Sequence, residues 1–225
     1  MKLVPRISRL RNWALTLLPI VIACAAGAVN AQASPHLSLS AQLLVGARQN
    51  DLALVDRVLS KGAAPNSRNR LGKTALLMAA EKGNMALAQR MLEANADVNL
   101  ASLEGVTPLM AASYGGHVDL VRRLLAKGAR TGPLDRMRKP AIIYAAGQGH
   151  ADVIDALLDA GVDVNGVYEN QLSALMWAAG QGHAQVVQRL VQRGARIDAR
   201  DNRGLSASDM ARREGHAAVV ALLGA

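Results

Sequence analysis

The sequence predicts an all-α solenoid of six 33-residue helix–turn–helix repeats. Three observations carry that expectation. First, turn dipeptides recur at one spacing: Asn50-Asp51, Gly83-Asn84, Gly116-His117, Gly149-His150, Gly182-His183 and Gly215-His216, each 33 residues after the last. Second, the apolar runs between turns are short. Isolated helices below about 12–15 residues are marginal in water, so each unit needs neighbours to cover it. Third, hydrophobic residues make up 51% of the chain, yet aromatics are 2% and Phe is absent. An Ala/Leu/Val-rich chain suits many thin, close-packed helices rather than one broad core.

Taken in order, residues 1–12 carry Lys2, Arg6, Arg9 and Arg11 and no acid, and residues 13–29 are almost wholly apolar. Val29-Asn30-Ala31 and Ala31-Gln32-Ala33 both fit a small-x-small cleavage site. This is the three-part pattern of a secretory signal, predicting a cleaved signal peptide over 1–31 and a periplasmic protein. Two alternatives stay open. The apolar stretch approaches the roughly 20 residues that span a bilayer, so it could remain as an anchor. Val21-Ile22-Ala23-Cys24 resembles a lipobox, which would make Cys24 a lipidation site and the protein a membrane-anchored lipoprotein. No Arg-Arg pair marks a twin-arginine signal. Removing 1–31 takes four basic residues and no acid, so the charge falls from +9 to +5. That excess favours acidic partners; an exported chain makes nucleic acid a poor partner. Residues 32–40, with Pro35, read as a linker.

From residue 41 to 225 the register is unbroken. First helices open at Ala41, Thr74, Thr107, Pro140, Ser173 and Ser206. Second helices close at Gly62, Asn95, Gly128, Gly161 and Gly194, where a left-handed residue ends a helix. The second helices place apolar residues at i, i+4 and i+5, as in Leu120/Leu124/Leu125 and Val186/Leu190/Val191, predicting a buried stripe. The small pairs Ala79-Ala80, Ala145-Ala146 and Ala178-Ala179 allow close helix approach. Polar residues at Arg48–Asp51 and at Asp209, Arg212, Arg213 and Glu214 predict terminal caps.

The 33-residue period resembles the ankyrin repeat. The resemblance rests on Gly105-Val106-Thr107-Pro108-Leu109, the Ala pairs, the Gly-His turns and Ala160-Gly161-Val162-Asp163-Val164-Asn165. It covers residues 41–225 and implies β-turn fingers between helix pairs, a protein-binding scaffold and no enzyme activity. It also implies that recognition uses finger tips and first helices on a concave face. One departure stands out: the family's first-helix His is Leu44, Leu77, Met110, Ile143, Met176 and Asp209 here. Some exported bacterial ankyrin proteins support a periplasmic catalase or oxidative-stress defence. That role, and a secreted effector or toxin-neutralising protein, are the alternatives to a general envelope scaffold.

No paired carboxylates, nucleophile elbow or phosphate loop appears, so no cofactor is expected. His117, His150, His183 and His216 sit one per repeat. Stacked helices lie about 8–10 Å apart, whereas ligands share one ion at about 2 Å, so these histidines read as structural. One Cys excludes an internal disulfide.

Two departures from the repeat mark the candidate partner site. The position before the Ala pair reads Val45, Met78, Ala111, Tyr144, Trp177 and Met210, and Tyr114 lies close by. Tyr and Trp are enriched in binding hot spots; filling gaps between repeats is the other reading. The finger glycine, present at Gly72, Gly105 and Gly204, is replaced by Arg138 and Gln171 in the other two fingers, predicting an altered turn or local strain. With the basic cluster, the candidate set is Tyr114, Arg136, Met137, Arg138, Lys139, Tyr144, Gln148, Glu169, Asn170, Gln171, Trp177 and Gln181. The expected partner is a protein with an acidic, partly apolar surface, bound to a monomer.

Overall fold

The structure is a computed structural model that describes residues 37–224. The predicted signal peptide, its cleavage sites, Cys24 and linker residues 32–36 lie outside the described residues. The described residues form six helix pairs: α1 (Leu39–Gln49) and α2 (Leu52–Ser60), α3 (Ala75–Lys82) and α4 (Met85–Glu93), α5 (Pro108–Tyr114) and α6 (Val118–Ala126), α7 (Ala141–Gln148) and α8 (Ala151–Asp159), α9 (Ala174–Gly180) and α10 (Ala184–Gln192), α11 (Ala207–Glu214) and α12 (Ala217–Leu222). First helices pack in a row, each against the next, and each second helix packs on its own first helix.

Capping explains where the helices begin. Thr74, Thr107, Ser173 and Ser206 each accept an N–H from the third helical residue, satisfying a donor that the helix leaves open. The first helix departs from the register. It begins at Leu39 behind a Ser38 cap, whose side chain accepts the Ala41 N–H, rather than at Ala41. Asp51 and Asn84 cap α2 and α4 with their side chains. The four histidines hold the same position without capping. Their rings reach across repeats instead. Nε2 of His150, His183 and His216 lies 2.9, 3.0 and 3.2 Å from the carbonyls of Tyr114, Gly147 and Gly180. A β-carbon on Gly116 or Gly182 would collide with the ring of the next repeat's histidine. His150, His183 and His216 are inter-repeat ties.

The core is a continuous line. Ala79, Ala80, Ala112, Ala145, Ala146, Ala178 and Ala179 are fully buried where adjacent helices meet. Leu77, Met110, Ile143 and Met176, which stand where the family has His, are also buried, so apolar packing replaces a polar link. The i+5 edge of the second-helix stripe is uneven, buried at Leu92 and Leu158 but not in α6 and α10. Val191 is exposed and Leu125 half-buried, while Val121, Ile154 and Val187 are buried. At about 100° per residue, i+1 falls nearer the i/i+4 stripe than i+5 does.

Five fingers link the helix pairs. In each, the first residue's N–H donates to the fifth residue's carbonyl: Asn69 to Lys73 (3.0 Å), Ser102 to Val106 (2.9 Å), Asp135 to Lys139 (3.2 Å), Tyr168 to Leu172 (3.0 Å) and Asp201 to Leu205 (2.9 Å). The fourth residue is left-handed in all five, at Gly72, Gly105, Arg138, Gln171 and Gly204.

Candidate functional site

Short polar side chains hold most fingers closed. Asn69, Ser102, Asp135 and Asp201 sit at the first finger position, 33 residues or a multiple apart, and each accepts backbone N–H groups from its own turn. This is the local competition of short polar side chains for backbone donors that favours turns. Sequence reading passed over this register, although the spacing displays it. Tyr168 occupies the same position in the fourth finger and has no carboxylate or amide to offer. There the turn differs: both Asn170 (φ 59°) and Gln171 (φ 59°) are left-handed. In the third finger Arg138 alone takes that conformation, at φ 56°. The two departures thus divide: Arg138 keeps the turn at the cost of a strained residue, and the fourth finger changes its turn.

Asp135 is the hub of the third finger. It is buried, and its Oδ1 accepts the Lys139 N–H at 2.8 Å. Its Oδ2 accepts the Tyr144 hydroxyl. Burial first, then this bond and the carboxylate's charge, push the Tyr144 phenol above the ordinary tyrosine range. One ring therefore fastens a finger to α7.

The aromatic residues form a file along three successive first helices. Tyr114, at the end of α5, meets Tyr144 edge to face, with centroids 5.9 Å apart and planes at 80°. Trp177 on α9 lies against Gly147, where a β-carbon would stand 3.9 Å from its ring. The Lys139 ammonium sits 4.5 Å from the Trp177 centroid, a cation–π contact. Burial lowers the Lys139 pKa, while Asp135 and Glu169 act against that shift. Tyr144 and Trp177 are half-buried and pack on the core, whereas Tyr114 is 40% exposed. The gap-filling reading of the aromatics thus holds for Tyr144 and Trp177, and each keeps part of its ring accessible.

The remaining candidates separate. Arg136 pairs with Glu104 at 3.0 Å, tying the third finger to the second. Met137, 49% exposed, and Arg138 project at the third finger's tip. Glu169, Asn170 and Gln171 are exposed on the fourth, and Gln148 and Gln181 are exposed at the ends of the first helices α7 and α9. Among the described residues, no three His, Cys, Asp or Glu side chains converge as a metal site.

The family model described as ankyrin repeats (3 copies) matches residues 43–135, 116–201 and 142–225. The chain belongs to the ankyrin-repeat family. No curated protein matches it. Membership makes this ankyrin-repeat protein a protein–protein interaction scaffold, on a fold that typically binds rather than catalyses. For an ankyrin surface the file Tyr114–Tyr144–Trp177, edged by the third and fourth fingers, is the part of the array that departs from its neighbours.

Proposed function

We propose that this protein is an exported, non-enzymatic scaffold that holds a periplasmic or envelope protein against its third to fifth repeats. One observation carries the site: three of the chain's five aromatic residues line adjacent first helices, with Lys139 over Trp177 and Arg138 exposed on the same finger. Aromatic faces supply apolar contact at low entropic cost, and the basic finger favours an acidic, partly apolar partner surface. Export is supported by the basic, apolar and small-residue order of the N-terminus.

The test uses affinity capture from a periplasmic extract, followed by titration of the captured protein. Trp177→Ala and Arg138→Glu spare the Asp135–Tyr144 tie. Each should weaken binding about tenfold, or ~1.4 kcal/mol. Equal affinity in both folded variants overturns the site. The mass of the mature N-terminus distinguishes cleavage after Ala31 or Ala33 from lipidation at Cys24.

A further inference from the structure

Successive finger segments are tied to each other in two ways. At the tips, the second finger residue donates its N–H to the third residue of the preceding finger: Leu103 to Leu71 at 3.0 Å, Arg136 to Glu104 at 2.9 Å, and Asn202 to Asn170 at 3.1 Å. At the base, an asparagine brackets the next loop. Asn66 accepts the Asp97 N–H at 2.8 Å. Asn99 accepts from Arg130 at 2.8 Å and donates to the Gly128 carbonyl at 3.2 Å. Asn165 repeats both bonds with Arg196 and Gly194.

Between the third segment (129–139) and the fourth (162–172) neither tie is present among the described residues. The bracket register, 66, 99, 132 and 165, puts Gly132 where Asn is needed. At the tip, Glu169 and Met137 hold the rung positions, but no bond joins them. An open depression of about 610 Å³ lies at the base of this seam, bordered by Leu125, Ala129, Gly132, Pro133 and Ala160. What crosses the finger side is Lys139, over Trp177 and facing the charge of Glu169.

The helix side of the same seam is the opposite. Arg189 pairs with Asp155, and Arg193 bridges Asp155 (3.3 Å) and Asp159 (2.6 Å), joining α10 to α8. His183 ties the turn to the Gly147 carbonyl. A stack clamped along one edge and lacking both rung and bracket along the other pivots about the clamped edge, since each unit of a solenoid contacts only its neighbours.

We infer that the third and fourth fingers form a hinge. The fingers part and close about the α8–α10 clamp, with Lys139 on Trp177 as the latch. Because the latch and the aromatic file share Trp177, a bound partner selects one hinge position. This last step rests on the proposed binding site; the hinge itself does not.

Spin-label distances test it in the whole protein carrying Cys24→Ser. Labels at Leu71→Cys and Met137→Cys span two tip rungs. Labels at Glu104→Cys and Asn170→Cys span one rung and the gap. The second pair should give the broader distribution. Gly132→Asn, at a position where a β-carbon meets nothing within 4 Å, should narrow it by restoring the bracket. Amide exchange in wild-type residues 168–173 should run about tenfold faster than in 102–107, as expected of a local opening. Equal widths, or equal exchange in the two fingers, overturn the hinge. If the widths differ but a bound partner changes neither, the coupling falls and the hinge stands. If Trp177→Ala leaves partner affinity intact, it is the binding site that falls.

Discussion

The third and fourth fingers close alike but differ in turn and in chemistry. Both close with the same first-to-fifth and fourth-to-first hydrogen bonds. The third uses a buried carboxylate, Asp135, which organises its own turn and reaches α7 through Tyr144. The fourth has Tyr168, half-buried against the core, and places two residues in the left-handed region. A hairpin of this kind can be held by side-chain acceptors or by neighbouring packing. The two solutions leave different residues indispensable.

The sharpest way to break the comparison is to remove the hub. Asp135→Ala leaves the Lys139 N–H and the half-buried Tyr144 hydroxyl without their acceptor. An unsatisfied buried polar group costs about 1–3 kcal/mol, so urea unfolding should show a loss of about 2–3 kcal/mol. Tyr168→Ala deletes packing and no hydrogen bond, and should cost about 1–2 kcal/mol as partial loss of a buried side chain. Equal losses, with amide exchange in the third finger unchanged by Asp135→Ala, would mean that the carboxylate does not hold the turn.

Much of the architecture was legible in the sequence because it repeats. The left-handed helix ends at Gly62, Asn95, Gly128, Gly161 and Gly194 stand where the period places them. What the period hides is any exchange between repeats of equal spacing but different bonding. The histidines read as structural from their spacing, but the carbonyls 36 residues upstream that His150, His183 and His216 reach with Nε2 are not visible in it. In the sequence Asp135 is simply an acid beside Arg136, Arg138 and Lys139, and its burial and its bond to Tyr144 appear only in the fold. The loss at Gly132 is visible only as a missing side chain, whose meaning needs the bracket made by Asn99 and Asn165. Tyr144 and Trp177 stand out in the sequence as departures, but what they pack against, Asp135 and Gly147 with Lys139, is not visible there.

A second comparison sets the two tyrosines side by side. Tyr144 donates to Asp135, whereas the Tyr168 hydroxyl makes no hydrogen bond among the described residues. Tyr144→Phe should cost about 1 kcal/mol, the net worth of one such bond, and Tyr168→Phe close to nothing. Both phenols are raised, by burial first and then by Asp135 at Tyr144 or Asp163 at Tyr168. A raised folded-state pKa stabilises the fold fully below the unfolded value near 10. That stability is lost as pH rises through the folded pKa. Tyr144→Phe should therefore flatten the alkaline decline, read as urea midpoints at rising pH. An unchanged decline would separate the titration from the finger.

The smallest effects test the strained turns themselves. Arg138 and Gln171 hold φ of 56° and 59° where three other fingers have glycine. The left-handed region costs an L-residue about 1–2 kcal/mol, and glycine returns about 0.5–1 kcal/mol of that through its freer unfolded chain. Arg138→Gly and Gln171→Gly should each gain about 0.5–1 kcal/mol by that difference. Asn170→Gly should gain less, because asparagine tolerates this region better than most residues. The two glycine variants also separate strain from recognition. Arg138→Gly removes a tip charge and should weaken an acidic partner while stabilising the fold. Gln171→Gly should stabilise the fold without that loss of charge. If both leave stability unchanged in thermal unfolding, the left-handed residues are relaxed by their surroundings in both fingers.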